Sequence, residues 1–549
     1  MFKRIGFIFC LILLFIPLLK AKADFPVQSF FIDSRYDISS RKTINASLFK
    51  KTNKINFYID EEWLKNSSYD TNQLNSLLYQ ASTNFEYNIF PKLTEIYGMP
   101  ANWQDAQWRL TVVFHSLKKD YGGYTRVEDL YSKALSSTSN NQPIIFLNTQ
   151  VFKLPSFRLS SYLAHEFTHL LSLYLKYQKF NVMDDTWLEE LRAELSESLT
   201  QDIKTNFSQS ILKSRLENFV PVINFSLTDW QNRDGDYAIV NILGQYLLEK
   251  YGTLILKDSL NSSFTGIESI NYALKKNGYH LTFNEILQNW MIATVFNDCS
   301  SNNLYCFNNT YLKNIQKQGD AYYIPTRVES EMVGEDTLKE LSGRWLKFVG
   351  GAGTMNIRFV LNGNVPIYKI PYVIIRADGK KELGFLDFNS KTDANLYLIK
   401  TEEIMATMFL PSLGINSDNL YTYNFEVKNK KASNQDEQLI IKQLEQRIEE
   451  LKRQVAALQL QLALMQTNQS NLNCSTFSSD LYFGITSPQV KCLQQFLANL
   501  GSDIYPEKLI TGYYGPLTMA AVQRYQALNG IITTGYFGPL TRAAVSKEL

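Results

Sequence analysis

Two histidines four residues apart, His165 and His169, constrain the fold of this chain more than any other feature of the sequence. Residues i and i+4 lie on the same side of an α-helix, so the spacing predicts a helix that presents both imidazoles to one place. Leucines and aromatic residues continue at helical spacing over residues 160–177. The neighbouring residues are uncharged, which predicts that this helix is packed into a core.

The two imidazoles and the carboxylate between them form a pattern typical of a catalytic zinc site. His165 and His169 could bind one Zn²⁺ ion together, and Glu166 would then lie beside the metal. A carboxylate there is suited to act as general base on a zinc-bound water, whose pKa the metal lowers to roughly 7. The chain has only four histidines, and the other two, His115 and His280, lack metal-ligand spacing and are interpreted as structural.

A second segment, Trp-Leu-Glu-Glu-Leu-Arg-Ala-Glu at residues 187–194, supplies the third ligand of this hypothesis. Together with the His-Glu-x-x-His motif it resembles the gluzincin metallopeptidases, the group of thermolysin and the aminopeptidase-like enzymes. Their second-helix pattern, Trp-x-x-Glu-Gly-x-Ala-Glu, aligns Glu190 with the metal-binding glutamate, and Leu191 replaces the usual glycine. The resemblance covers motifs within residues 140–300 and implies an α+β zincin-like fold with a His₂Glu zinc site.

The remaining polar residues near the motif leave alternatives open. Glu194 either hydrogen-bonds a zinc-bound histidine or contacts the zinc in place of Glu190, and Glu189 is expected to face solvent. Tyr237 is the candidate that stabilises the oxyanion, because related enzymes often place a tyrosine in this helix; ordinary helix packing is the alternative. The Gly-x-Met-Glu-Asn motif of aminopeptidase-like enzymes is absent from the sequence, which favours an endopeptidase.

The first 23 residues read as a secretory signal peptide. Lys3 and Arg4 precede an apolar run over residues 5–19, and Ala21-Lys22-Ala23 is an A-x-A-like cleavage site. An uncleaved membrane anchor is the alternative, although the apolar run is short and contains a proline. No later segment has 18 consecutive apolar residues. The sequence therefore predicts a secreted, extracytoplasmic protein without a further transmembrane segment.

Length, charge and cysteine content narrow the class of protein. A chain of 549 residues should form several domains, and a formal charge of +2 argues against a nucleic-acid partner. Removal of the signal peptide leaves four cysteines in an oxidising compartment, which predicts two local disulfides; free buried thiols are the alternative. The two couples are Cys299 with Cys306 and Cys474 with Cys492.

The residue pattern changes along the chain, which predicts a multidomain protein. Residues 24–325 read as a mixed α/β region, the zinc metallopeptidase-like domain, with strands at 54–60, 110–114 and 143–147. Helices are predicted after the motif at 186–199, at 237–251 with an end at Gly252, and at 283–296. Residues 335–430 carry short β-branched and aromatic runs broken by turn residues, which predicts a small all-β sandwich without chemistry of its own.

A heptad segment at residues 436–466 predicts a coiled coil. Isoleucine, valine or leucine occupies each a position and leucine or methionine each d position, a pattern that favours a parallel two-stranded coiled coil and thus a homodimer. A single helical stalk is the alternative. The polar residues that follow, 467–477, are predicted to form a linker.

The end of the chain contains an internal repeat. Thr-Gly-Tyr-Tyr-Gly-Pro-Leu-Thr-x-Ala-Ala-Val at residues 511–522 returns, with Phe for the second Tyr, 23 positions later at 534–545. Each copy is a glycine-containing turn followed by proline at the start of a helix. Residues 478–549 resemble the peptidoglycan-binding domain of bacterial cell-wall hydrolases, a three-helix module, which implies peptidoglycan as a partner. The repeated aromatic side chains, Tyr513, Tyr514, Tyr536 and Phe537, either contact this ligand or join the two copies as core.

Three functions follow from these patterns. The favoured one is an exported, cell-wall-associated zinc metallopeptidase that acts on proteins, with Glu166 as general base. The second is a hydrolase of the peptide bonds of peptidoglycan itself. The third is an inactive peptidase fold that binds the wall as an interaction protein, against which the intact Glu166 argues.

Overall fold

The computed structural model describes residues 26–549 apart from residues 106, 120, 202–206, 316, 327–328, 363–368, 389–391, 414–419 and 475 and most of 432–473. Within this last range only Glu445, Ile448, Glu449 and Lys452 are described, and all four are helical. The predicted signal peptide at 1–23 lies outside the described residues, as do most of the predicted coiled coil at 436–466 and linker at 467–477. The chain divides into two compact units, Met1–Ser82 with Arg109–Phe152, and Thr83–Trp108 with Lys153–Leu549.

The first unit is built on a six-stranded mixed sheet. Its strands are β1 (Val27–Phe31), β2 (Thr43–Lys51), β3 (Ile55–Asp60), β4 (Leu110–His115), β5 (Gly123–Tyr124) and β6 (Ile144–Asn148), in the order β1-β2-β3-β4-β6-β5. β3, β4 and β6 are parallel neighbours, and the other pairs are antiparallel. β4 and β6 are buried along their whole length, because strands inside a parallel sheet are covered on both faces. The three strands predicted for this region are confirmed.

Two helices follow β3 in the chain, α1 (Glu61–Asn66) and α2 (Thr71–Asn84). His115, at the end of β4, is completely buried, with Nδ1 3.0 Å from Asp37 Oδ2 and Nε2 3.0 Å from the Tyr124 hydroxyl. These contacts connect β4 to the edge strand β5 and to the chain before β2. They agree with a structural role for this histidine.

The second unit begins with a helical region. Its helices are α3 (Phe90–Tyr97), α4 (Ser156–Ser172), α5 (Gln178–Phe180), α6 (Thr186–Thr200), α7 (Ile211–Phe219), α8 (Asp234–Tyr251), α9 (Thr253–Leu260), α10 (Gly266–Lys276) and α11 (Phe283–Val295). π-helical turns precede α3 at Phe85–Ile89 and continue α4 at Leu173–Tyr177, and short 3₁₀ turns lie in both units at Ala101–Trp103, Val127–Leu130, Thr149–Lys153, Phe207–Gln209, Asn303–Tyr305 and Thr401–Glu403. The four helices predicted from the sequence are confirmed, including the end of α8 at Gly252.

Residues 320–430 form two facing sheets and a small third one. The five-stranded sheet contains β8 (Asp320–Ile324), β11 (Leu346–Gly350), β13 (Lys369–Arg376), β14 (Lys381–Asp387) and β16 (Ile404–Phe409). The four-stranded sheet contains β9 (Ser330–Leu338), β12 (Thr354–Leu361), β15 (Asp393–Ile399) and β18 (Tyr421–Lys430). The third sheet joins β7 (Asn224–Ser226) to β10 (Ser342–Arg344) and β17 (Ser412–Leu413).

The two larger sheets share one hydrophobic core, as the aligned packing of a β-sandwich requires. Phe348 contacts Phe425 and Phe409 contacts Phe359 across the two sheets, with ring centroids 5.6 and 4.9 Å apart. The strands begin at Asp320, earlier than the predicted boundary at 335, because β8 pairs with β11 and β9 pairs with β18, both of which come much later in the chain.

The C-terminal domain contains three helices, α12 (Pro488–Asn499), α13 (Pro516–Leu528) and α14 (Pro539–Val545), around one hydrophobic core. Each begins with proline, which needs no hydrogen-bond acceptor in the first turn. The glycines of the two repeated turns, Gly512 and Gly535, have φ of 79° and 71°, a conformation that favours glycine. This agrees with the predicted three-helix module.

Two buried glutamines give the two copies of the repeat the same internal support. The Gln494 side chain accepts from the Gly512 N–H at 2.8 Å and donates to the Tyr513 carbonyl at 2.8 Å. Gln526 repeats both bonds with Gly535 and Tyr536, at 2.9 and 2.8 Å. Each glutamine also donates to the threonine at the third position of the next helix, Thr518 or Thr541, so each amide is satisfied at both ends.

The four cysteines of the described part are paired as Cys299–Cys306 and Cys474–Cys492, with Cα atoms 5.1 and 5.2 Å apart. The first bridge closes the loop after α11, and the second holds the start of the C-terminal domain against α12. Among the described residues, none of the helices is both long and apolar enough to span a membrane.

Candidate metal centre

Helix α4 carries the two histidines on one side and a buried phenylalanine on another. The His165 and His169 rings have centroids 4.9 Å apart, and both residues are partly exposed. Phe167, between them in sequence, is fully buried and packs against the rings of Phe85 and Trp103 at 5.1 and 5.7 Å. Because a helix turns 100° per residue, this aromatic anchor directs the two imidazoles away from the core.

Helix α6 brings a carboxylate to both imidazoles. Glu190 Oε2 lies 3.3 Å from His165 Nε2, and Glu190 Oε1 lies 3.7 Å from His169 Nε2. Ligand atoms bound about 2.0–2.1 Å from one tetrahedral zinc ion lie roughly 3.3–3.4 Å apart. The three residues singled out from the sequence as ligands are therefore brought together at a separation that suits a metal ion.

The donor atoms also have the chemistry that a zinc site needs. Glu190 Oε2 is buried and has no hydrogen-bond partner, which is costly for a carboxylate oxygen unless something else occupies it. Both histidines offer Nε2 to the same space, and a His₂Glu set leaves a fourth position open for water. The residues of this chain thus fit a catalytic zinc ion.

The charges of the centre favour a cation. Burial by itself lowers the pKa of His165, but the negative charges of Glu190 and Glu197 and the hydrogen bond to Glu197 outweigh it and raise the pKa well above its ordinary value. Burial also lowers the pKa of His169, and Glu190 again reverses the effect. Burial raises the pKa of Glu166, which is only 5% exposed. Carboxylates thus outweigh the cationic groups here, as at a site for a divalent ion.

His165 donates a hydrogen bond to Glu197, a residue that the sequence pattern did not single out. Glu197 Oε1 lies 2.8 Å from His165 Nδ1, and because a carboxylate only accepts, Nδ1 is the donor. Ser161, one turn before His165 on α4, donates to the other oxygen of Glu197. The available signal was the spacing 190, 194, 197, which puts three glutamates on one helical face.

Glu194, predicted as a partner of a zinc-bound histidine or as a ligand, lies differently. Its Oε1 is 3.9 Å from His165 Nδ1, beyond hydrogen-bond distance. Arg215 on α7 binds both of its oxygens at 2.7 and 2.6 Å, and Asn241 on α8 donates to its Oε2 at 3.3 Å. His165, Glu194 and Glu197 form a second group with the spacing of metal ligands. In that group Arg215 already binds the Glu194 carboxylate, and Ser161 already donates to Glu197.

Glu189 was expected to face solvent, but its side chain is only 14% exposed. Its Oε2 lies 3.9 Å from His169 Nδ1, and its Oε1 lies 3.5 Å from Arg192 Nη1. Arg192 is fully buried and also binds Asp184 at 2.9 Å. The expectation failed because the Glu189 carboxylate lies beside His169 and the buried Arg192, contacts that the sequence pattern does not reveal.

Tyr237 lies on the first part of α8, close enough to the centre for Glu190 and Glu194 to influence it. Burial and these two carboxylates raise the pKa of Tyr237, so its phenol stays protonated at neutral pH. Its ring packs over the Arg215 guanidinium at 5.2 Å and against Trp230. His280, in contrast, is exposed and belongs to no metal-ligand group among the described residues.

The four aromatic residues of the C-terminal repeat divide into two kinds. Tyr514 and Phe537, the second aromatic residue of each turn, are 0% exposed and belong to the core. Tyr513 and Tyr536, the first of each turn, are 40% and 38% exposed. Within these turns only the first aromatic ring is exposed, because the second is buried in the core of the domain.

Comparison with known proteins identifies the C-terminal domain. Residues 486–545 match the family model of a peptidoglycan binding domain, which associates this part of the chain with the bacterial cell wall. No curated protein matches the chain. Among solved structures, the chain is similar to a 4-O-methyl-alpha-glucuronidase of glycoside hydrolase family 115, described as specific for decorated arabinogalactans. That similarity has 9% identity and a TM-score of 0.13 and spans 61% of this chain and 53% of the other.

Proposed function

We propose that this protein is an exported zinc metallopeptidase with a zincin-like α+β catalytic region, held at the cell wall by its C-terminal domain. One observation carries the proposal: two histidines of α4 and one glutamate of α6 direct their ligand atoms to one point, where a buried carboxylate oxygen has no other partner. A packed core histidine or a charged helix face would satisfy these atoms within the protein.

In this proposal His165, His169 and Glu190 hold the zinc ion. When bound, Zn²⁺ supplies a Lewis acid that makes water a nucleophile near neutral pH. Glu166 takes a proton from the attacking water and passes it to the leaving amine. Its burial suits this role, because a carboxylate with a raised pKa can hold the proton between the two steps.

Tyr237 is proposed to donate a hydrogen bond to the oxyanion that forms at the cleaved carbonyl. Its phenol keeps its proton, and its ring is fixed over Arg215 and against Trp230. A donor that is already ordered loses little entropy when the negative charge develops. Together with the absence of an amino-terminus-binding motif in the sequence, this arrangement is proposed to act as an endopeptidase.

The signal peptide and the C-terminal domain together support an extracytoplasmic location at the wall. The domain matches a peptidoglycan-binding family, and each of its repeated turns exposes one tyrosine, Tyr513 or Tyr536. Rings of this kind are suited to lie against a sugar or peptide. The heptad residues 436–466 are proposed to separate this domain from the catalytic region, either as a stalk or as the seam of a homodimer.

The test uses the full mature chain and casein as substrate. We expect cleavage that stops on zinc chelation and returns when zinc is added. Glu166→Gln should lower kcat about 10²- to 10⁴-fold while the zinc content stays at one per chain. Glu268→Gln, the same change at an exposed position of α10, should leave both unchanged. A chain that takes up no zinc, or that keeps its activity after Glu166→Gln, contradicts the proposal.

The domain match also favours a second candidate, a hydrolase of the peptide bonds in peptidoglycan, since the domain would deliver the catalytic region to that substrate. Purified sacculi distinguish the two candidates. Release of wall peptides without casein cleavage supports the second candidate. If a zinc-loaded chain cleaves neither casein nor sacculi, the result supports an inactive wall-binding protein.

A further inference from the structure

Three glutamates follow one another along the face of α6 that borders the metal centre, Glu190, Glu194 and Glu197. Glu190 faces the Nε2 atoms of the two histidines. The other two are buried close to the opposite nitrogen of His165, one at 3.9 Å and one at 2.8 Å. Only Glu197 is close enough for a hydrogen bond.

Glu194 does not hydrogen-bond His165 but pairs with residues of α7 and α8. Arg215 binds both of its oxygens, and Asn241 donates to its side chain and to its backbone carbonyl, at 3.3 and 3.0 Å. This ion pair connects α6 to α7 and α8. The charge of Glu194 is therefore compensated before any ion binds.

Glu197 is oriented from both sides. The Ser161 hydroxyl holds one of its oxygens and His165 Nδ1 the other, so the carboxylate spans one turn of α4. Its side chain is 6% exposed, which protects the hydrogen bonds from water. In a neutral imidazole this arrangement places the proton on Nδ1 and leaves the lone pair on Nε2, the nitrogen that lies 3.3 Å from Glu190 Oε2.

We infer that Glu197 is the positioning residue of His165: its carboxylate, held by Ser161, fixes the Nδ1–H tautomer and directs Nε2 to the metal position. The inference rests on the proposed zinc site and adds a residue to it. A carboxylate behind a ligating histidine also makes the imidazole a stronger ligand, and loss of such a partner typically costs 10- to 100-fold in metal affinity or activity.

The first experiment measures zinc affinity of the full chain by competition with a chelator. Glu197→Leu removes both charge and acceptor, Glu197→Gln removes the charge and keeps an acceptor, and Glu194→Gln removes the same charge one turn away. We expect affinity to fall about 10- to 100-fold in Glu197→Leu. Zinc affinity should fall by no more than about fivefold in each of the two glutamine variants, much less than in Glu197→Leu. The reason is that His165 Nδ1–H keeps its acceptor in both.

The second experiment observes the tautomer directly. Ring-nitrogen NMR is practical because the chain has four histidines. In the zinc-loaded wild type and in Glu197→Gln, His165 should be the Nδ1–H tautomer with a slowly exchanging proton; in Glu197→Leu that proton should exchange quickly. If the leucine variant does not fold, Glu197→Asp replaces it, because the shorter side chain keeps the charge and withdraws the acceptor from Nδ1.

The outcomes separate the inference from the proposed function. If Glu197→Leu or Glu197→Asp binds zinc as tightly as Glu197→Gln, or if Glu194→Gln loses as much as they do, Glu197 does not position His165. If the wild type takes up no zinc, the proposed function fails and the inference fails with it.

Discussion

The metal centre and the C-terminal domain both bury polar side chains, but only in the C-terminal domain do the buried glutamines have hydrogen-bond partners at both ends of the side chain. In the C-terminal domain Gln494 and Gln526 are 1% exposed, uncharged and hydrogen-bonded at both ends of the amide. In the metal centre Glu190 is charged, and one of its buried oxygens has no partner. A satisfied buried group stabilises a fold, whereas an unsatisfied one costs free energy unless a ligand completes it.

The two regions also differ in how they can be recognised. The C-terminal domain matches a family along its length, because its turns and helix starts repeat over many positions. The metal centre depends on a few side chains from two helices, and the remainder of those helices tolerates many apolar sequences. A family match and a chemical site are therefore separate kinds of evidence about this chain.

The largest effect is expected at the aromatic pair of the second turn. Phe537→Ala should destabilise the C-terminal domain by about 3–5 kcal/mol, because the ring is completely buried, and wall binding should be lost with the fold. Tyr536→Ala should leave the domain folded and weaken binding to sacculi. Calorimetry and sacculus co-sedimentation of the full chain measure both. Unchanged binding after Tyr536→Ala would exclude this ring from the contact.

The second largest effect is expected in the free energy of zinc binding when one metal ligand is removed. Structural zinc sites bind with about 10–16 kcal/mol shared among four ligands, so one ligand contributes on the order of 3–4 kcal/mol. Glu190→Ala should therefore weaken zinc binding about 10²- to 10³-fold. Competition with a chelator measures the change. A zinc affinity equal to that of the wild type would mean that Glu190 is not a ligand.

A smaller effect is expected for the satisfied amide. Gln526→Ala leaves the Gly535 N–H without a partner and removes the shorter of two hydrogen bonds to the Tyr536 carbonyl, at a cost of about 2–3 kcal/mol. Urea unfolding of the full chain, followed through the C-terminal transition, measures it. Gln495→Ala, the same change at an exposed position of α12, should stay within about 0.5 kcal/mol. Equal losses in the two variants would contradict the role given to Gln526.

The last effect depends on pH, at most about 1.4 kcal/mol for each pH unit, and concerns a buried lysine. Lys317 donates to the carbonyls of Phe219, Val220 and Val222 and lies 4.5 Å from the Trp345 ring centre. Burial lowers its pKa to about 7. Between pH 7 and the unfolded value of 10.5 the unfolded chain binds more protons, so stability should rise with pH in that window.

The comparison with Lys317→Met isolates this contribution. The difference in unfolding free energy between wild type and variant should increase by up to about 1.4 kcal/mol per pH unit from pH 7 to 9. Urea unfolding at several pH values measures it. A difference that does not change with pH would mean that the three carbonyls and the ring keep the ammonium protonated.

Much of the local structure could be predicted from sequence because it depends on short spacings. Helical periodicity placed α4 and α6, and glycine marked the end of α8. The convergence of His165, His169 and Glu190 followed from a motif and a resemblance, and the distances agree with it. Glu189 and Glu194 did not lie as expected, because Glu189 lies beside the buried Arg192 and Glu194 is bound by Arg215 on α7.

The sequence by itself determined where the two helices of the metal centre run, which cysteines can pair locally and which residue types could hold zinc, since these depend on periodicity and on side-chain chemistry. Only the tertiary structure decided which glutamate supports His165 and which ring of each repeated turn is exposed. The physical reason is that a hydrogen bond or a buried face depends on distances of a few tenths of an ångström between distant segments. Those distances are set by packing.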